Sequence, residues 1–123
     1  MNLEEIREYC LSFPGVTEGF PFDEDTLVFK VMGKMFCMLS LEADQCISLK
    51  NRPEKIPELQ EEFTFVLPGY HMNKHHWMRV QLQEHVKDVL LKEWIDTSYS
   101  LVVAGLSVKM REDLNKIIRN EGI

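Results

Sequence analysis

Thr26-Leu27-Val28-Phe29-Lys30-Val31-Met32-Gly33-Lys34-Met35-Phe36-Cys37-Met38-Leu39-Ser40-Leu41 decides the fold. Its two halves, Thr26 to Val31 and Met35 to Leu41, are rich in β-branched and aromatic residues, which suit a pleated, half-buried surface better than a helix. Met32-Gly33-Lys34 leaves room for only a tight connection, and glycine enters the left-handed backbone region that a short hairpin turn requires. The stretch therefore predicts an antiparallel hairpin with Gly33 at positive φ.

Working outward, the elements on both sides follow from period and punctuation. Asn2 followed by Glu5 makes an N-cap pair, and Leu3, Ile6 and Tyr9 or Cys10 recur at helical spacing until Pro14-Gly15, which predicts a helix near 3–12. After the hairpin, the polar turn Glu42-Ala43-Asp44-Gln45 leads to a short strand, Cys46 to Lys50. Asn51-Arg52-Pro53-Glu54 then opens a helix with Ile56, Leu59 and Phe63 on one face. Phe65-Val66-Leu67 and Trp77 to Leu82 read as two more strands divided by Pro68-Gly69, the second alternating apolar and polar as a sheet with one wet face should. From Val86 the period becomes about 3.6, marking one long helix to Ala104 that ends at Gly105. Ser107 caps a last helix that is expected to turn Met110, Leu114, Ile117 and Ile118 inward. The order α-β-β-β-α-β-β-α-α predicts an α+β fold of two layers, an antiparallel sheet with helices packed on one side, in a single domain spanning 1–123.

Composition fits this picture. The chain has 123 residues, 45% of them hydrophobic and 28% charged, which excludes a disordered or disulfide-dense protein. No apolar run reaches the roughly 18–20 residues needed to cross a bilayer. Glu4, Glu5 and Glu8 stand where a signal peptide would carry basic and apolar residues, so a cytoplasmic location is expected. Cys10, Cys37 and Cys46 are odd in number and without close paired spacing, which predicts reduced thiols, with Cys37 and Cys46 as core residues of their strands.

The net charge of −6 is unevenly spread. Residues 1–25 carry a balance of −6, residues 26–80 of +1 and residues 81–123 of −1. The window 63–83 contains no acidic residue at all, yet it holds Tyr70, His71, Lys74, His75, His76, Trp77 and Arg79. Donors, titratable charge and aromatic faces without a carboxylate suit contact with an anion or polyanion better than acid–base hydrolysis.

Catalytic signatures are weak by comparison. His71, His75 and His76 have an H-x3-H-H spacing, with Cys37 and Cys46 as distant candidates for a metal. Their surroundings favour loop and strand, where His75 and His76 point in opposite directions, so solvent-facing loop histidines and no bound metal are expected. No G-x-S-x-G elbow is present, and the isolated glycines form neither a Rossmann nor a P-loop cradle. Asp23-Glu24-Asp25 reads as a solvated loop ahead of the hairpin. A non-enzymatic protein without a cofactor is the expectation. Lys30, Lys34, Lys50, Arg52, Lys55, Lys74 and Arg79 all belong to the strand-rich middle, so the hairpin carrying Lys34 and the loop from Tyr70 to His76 can serve as two wings along a phosphate backbone.

Several ungapped motifs carry a family resemblance. Cys10-Leu11-Ser12-Phe13-Pro14-Gly15-Val16-Thr17-Glu18, Pro21-Phe22-Asp23-Glu24-Asp25-Thr26-Leu27-Val28-Phe29-Lys30-Val31, Gly33-Lys34-Met35-Phe36, Pro68-Gly69-Tyr70-His71-Met72-Asn73-Lys74-His75-His76-Trp77 and Ser98-Tyr99-Ser100-Leu101-Val102-Val103 resemble the MmcQ/YjbR family of small bacterial proteins. The resemblance implies a two-layer α+β domain of secretion-chaperone-like topology, α-β3-α-β2-α. It also implies a DNA-binding label, which rests on similarity to a "double-wing" nucleic-acid-binding architecture and is a fold analogy. Two expectations follow. The first is a DNA-binding protein, regulatory in role, that uses Lys30, Lys34, Lys74, His75, His76 and Arg79 on phosphates of double-stranded DNA, with Tyr70 or Trp77 stacking on a base. The second is an interaction module whose exposed sheet or helix face takes a protein partner or a small ligand.

Overall fold

The computed structural model describes residues 1–69, 72–83 and 85–121. The predicted hairpin forms as β2 (Thr26–Val31) and β3 (Lys34–Ser40), closed by the two-residue turn Met32-Gly33. Both turn residues have positive φ, 50° at Met32 and 82° at Gly33, the mirror-image turn whose twist matches that of the strands it joins. Around this hairpin lie α1 (Leu3–Leu11), β1 (Val16–Gly19), β4 (Cys46–Lys50), α2 (Lys55–Glu62), β5 (Val66–Pro68), β6 (Trp77–Gln81), α3 (Asp88–Ala104) and α4 (Val108–Glu121). The strands make one six-stranded sheet in the order β1-β2-β3-β4-β6-β5, every neighbouring pair antiparallel.

β1 is an addition to the predicted order. Val16-Thr17-Glu18-Gly19 offers only one clear apolar position, too little for a period, and pairs with β2 because the chain reverses between them.

The helices cover one face. Ile6 and Cys10 of α1, Ile56 and Leu59 of α2, Leu91, Trp94, Ile95 and Val102 of α3 and Leu114 of α4 share a single buried cluster with Leu27, Phe29, Leu39, Ile47, Leu49, Met78 and Val80 of the sheet. α1 starts with a reciprocal capping box: the Asn2 side chain accepts from the Glu5 N–H at 2.8 Å and the Glu5 carboxylate accepts from the Asn2 N–H at 3.0 Å. Arg7 of α1 donates to both carboxylate oxygens of Glu18 on β1, at 2.8 and 2.7 Å, and fastens the helix to the sheet edge. Ser107 accepts from the Met110 N–H as an N-cap does. One inward assignment fails on α4: Ile118 is 44% exposed, because only one stripe of this amphipathic helix meets the core and that stripe centres on Leu114.

A bulge interrupts β3. Phe29 pairs with Cys37 but Lys30 pairs with Met35, so Phe36 is an extra residue, and both Phe36 and Cys37 are fully buried in the core. The pairing of β3 with β4 stops at Cys37–Leu49. Beyond that point the buried hydroxyl of Ser98 on α3 joins the two strands, donating to the Phe36 carbonyl at 2.5 Å and accepting from the Lys50 N–H at 2.8 Å. The core thus contains a helix side chain acting as a sheet rung.

Candidate functional site

In an antiparallel sheet, residues directly opposite one another share a face. The face away from the helices is therefore set by register. One row runs Gly19, Val28, Met38, Ser48, Arg79, Leu67 across all six strands. The next row carries Thr17, Lys30 and Met35 on one side and Lys50 and Trp77 on the other. Of the predicted site residues, Lys30, Trp77 and Arg79 share this face, Lys30 three strands away from the other two.

The rest of the described set gathers at one end of the same sheet. Strand directions place the C-terminal ends of β2 and β4 and the N-terminal ends of β3 and β6 together. The exposed Lys34 begins β3 just past the hairpin turn. Lys74, His75 and His76, all exposed, occupy the β5–β6 connection. Asn73 shapes that connection: its side chain accepts from the His75 N–H at 3.0 Å, and its carbonyl accepts from the N–H groups of His76 and Trp77 at 3.1 and 2.9 Å. The His76 carbonyl in turn accepts from the Asn51 N–H at 3.1 Å, which ties the loop to the corner carrying Lys50 and Arg52. The hairpin turn and this loop lie three strand spacings apart, roughly 14 Å. Tyr70 and His71 lie outside the described residues.

Charge is segregated along the strands. Lys30, Lys34, Lys50, Arg52 and Lys74 mark the end just described, while the β1–β2 loop and the β3–β4 turn at the opposite end carry exposed Asp23, Glu24, Asp25, Glu42 and Asp44. A hydrogen bond from the Leu41 N–H to the Asp25 carbonyl, 2.8 Å, holds those two acidic segments together. Lys50 and Arg52, which the sequence placed only among the basic residues of the strand-rich middle, lie at this end as well. Their signal was their position at the end of a strand, whose partner only the β4–β6 pairing reveals.

Two expectations change. Trp77 is 6% exposed, with the Lys50 ammonium 5.8 Å from the centre of its ring, so it supports a cation instead of offering a face to a base. Cys46 is half-buried on the open face, opposite Gln81, and is not a core thiol. Burial raises its pKa, Arg79 opposes that shift, and Asp44 and Glu42 add to it, which leaves the thiol protonated. Cys10 and Cys37 are the buried pair, free thiols with their sulfurs 4.0 Å apart. Among the described residues no group of three or more His, Cys, Asp or Glu side chains is arranged to hold a metal. No described helix is long and apolar enough to cross a membrane.

Fold and surface together define an α+β domain with one helix-covered sheet face and one open face whose cations collect at a single end. The chain belongs to the YjbR family, whose model matches residues 11–101. It is 38% identical over 105 residues to the Escherichia coli O157:H7 protein YbdF, covering 85% of this chain and 86% of that protein. It is 30% identical over 113 residues to YjbR of Escherichia coli K12, covering 91% and 96%. The crystal structure of Deinococcus radiodurans protein DR2400 superposes with a TM-score of 0.85 at 36% identity, covering 93% of this chain and 88% of the other. A Pseudomonas syringae protein shares the fold, with a TM-score of 0.72 at 24% identity and coverage of 82% and 98%.

Proposed function

We propose that the protein is a non-enzymatic, cytoplasmic nucleic-acid-binding protein that engages the phosphate backbone of duplex DNA with the cationic end of its sheet. The observation that carries this reading is the segregation of charge. The far end of the sheet carries Asp23, Glu24, Asp25, Glu42 and Asp44, most of the other acids lie on the helices, and the near end presents Lys34 and Lys74 on two separate projections with Lys50 and Arg52 between them and Lys30 beside the hairpin turn. A spacing of roughly 14 Å between the projections is comparable to the ~12 Å width of the major groove, so each wing meets phosphates of a different strand. No base-reading group is assigned, and binding is expected to be electrostatic and indifferent to sequence. The far end favours a second reading, a protein-interaction module, because Phe22 there is 62% exposed and Leu41 38%.

Fluorescence anisotropy with a labelled duplex at low salt separates the two. The expected affinity is tens of micromolar at best, with log affinity falling linearly against log salt. Lys34→Ala with Lys74→Ala should weaken binding to unrelated sequences alike and lower that slope by about two units, close to one for each phosphate no longer neutralised. A duplex that fails to bind, or a slope unchanged by the double substitution, removes the nucleic-acid reading in favour of the protein partner.

A further inference from the structure

The open face carries a recess that the cationic end does not use. Phe20 and Pro21, just after β1, line a hollow of about 320 Å³ together with Glu18, Gly19, Val28 and Lys30. That is the lower end of the range in which proteins hold small molecules, roughly 300–1,000 Å³. Gly19 makes the space. It pairs directly with Val28, and a Cβ added at Gly19 would meet nothing within 4 Å, so any longer side chain there would fill the hollow. Val28 closes the bottom of the recess but, at 1% exposed, offers almost no free surface there.

The opposite side of the recess is polar. Lys30 and Thr17, a directly opposed pair, contribute an ammonium and a hydroxyl. Neighbouring carboxylates are committed elsewhere. Glu18 also lines the recess, but it pairs with the covered-face Phe29 and Arg7 holds both its carboxylate oxygens. Asp23 accepts from the Asp25 N–H at 2.9 Å and the Thr26 hydroxyl at 3.2 Å, and these bonds hold its pKa below the usual carboxylate value. Lys30 and Val28 are two residues apart on one strand, roughly 7 Å.

We propose that this recess is a binding site for a small organic carboxylate with an aromatic body, the ring packing against Phe20 and Pro21 beside Gly19 and the carboxylate meeting Lys30 and Thr17. An apolar wall at one end of the recess and an ammonium and hydroxyl at the other suit a flexible arylalkanoate better than acetate or a compact dianion. The inference is independent of the nucleic-acid reading. The two share Lys30, but the site needs no polyanion and its test contains none.

The probe is phenylbutyrate, with uncharged phenylbutyramide and ringless butyrate as comparisons, followed by two-dimensional NMR of backbone amides. Saturable shifts are expected at Thr17, Gly19, Phe20, Val28 and Lys30, with Kd on the order of 1 mM. Phenylbutyramide should bind about tenfold more weakly, and butyrate should not saturate. Lys30→Met should bring the acid to the level of the amide, and Gly19→Leu should abolish binding while leaving distant amides unmoved. Equal affinity for acid and amide, shifts that map elsewhere, or no saturation by roughly 20 mM would overturn the proposal. So would wild-type binding by a folded Gly19→Leu protein. Should Gly19→Leu fail to fold, the acid–amide comparison and Lys30→Met decide alone.

Discussion

The two faces of this sheet are made from alternate residues of the same strands, and they differ in what they do with apolar surface. On the covered face Phe29, Val31, Phe36, Cys37, Ile47, Leu49, Met78 and Val80 are fully buried under four helices. On the open face Val28 and Trp77 are buried, but Met35, Met38, Leu67, Lys30, Lys50 and Arg79 are only half-buried. Met78 and Cys37 apart, the covered face uses branched and aromatic residues with few rotamers, which specify one packing. Around Val28 and Trp77 the open face uses unbranched thioethers and long cationic stems, which adapt to what lies against them. Stability is thus concentrated on one side and adaptability on the other, although both are read from one run of residues.

Neighbouring positions of opposite face put that contrast to the test. Phe36→Ala empties a core position and is expected to cost about 3–5 kcal/mol, against about 1 kcal/mol or less for Met38→Ala, both from urea unfolding. Equal costs would mean that the open face is as much a core as the other. A smaller contrast is expected between two serines. Ser98→Ala leaves the Lys50 N–H and the Phe36 carbonyl buried without their shared partner and should cost about 1–3 kcal/mol, while Ser48→Ala, on the open face, should fall within about 0.5 kcal/mol of wild type. The smallest effect concerns α1. Burial, reinforced by a 2.5 Å hydrogen bond to Asp96, raises the pKa of the Tyr9 phenol to about 12. A pKa raised on folding means stability that is complete below the unfolded value near 10 and is lost as pH climbs from there to about 12. Tyr9→Phe should therefore show a flatter fall of the urea midpoint across that interval than wild type does.

Much of the fold was legible because local rules and global packing agree. Gly33 announced the turn, Asn2 and Glu5 announced the first cap, and the change of period after Val86 announced α3. What stayed hidden lies where a single residue breaks a period. Met35 to Leu39 is an unbroken apolar run, so nothing in it distinguishes Phe36 as the bulged residue, yet that bulge decides that Met35 joins Lys30 on the open face. The candidate site was legible as a set of residue types and not as a place. Lys50 meets Trp77 only because α2 and β5 carry the chain out and back so that β6 can lie beside β4. The recess under Phe20 depends on a loop path and on a missing side chain at Gly19, neither of which leaves a pattern in sequence.

The Ser98 clasp also affects timing. Most strand amides are released to solvent when a neighbouring strand departs, but the Lys50 amide is held by a side chain that belongs to a helix. Its proton therefore exchanges on the schedule of α3 lifting from the sheet, while the Ser48 and Leu49 amides beside it follow the parting of strands. Two clocks, one for the layers and one for the ladder, run within three consecutive residues of β4.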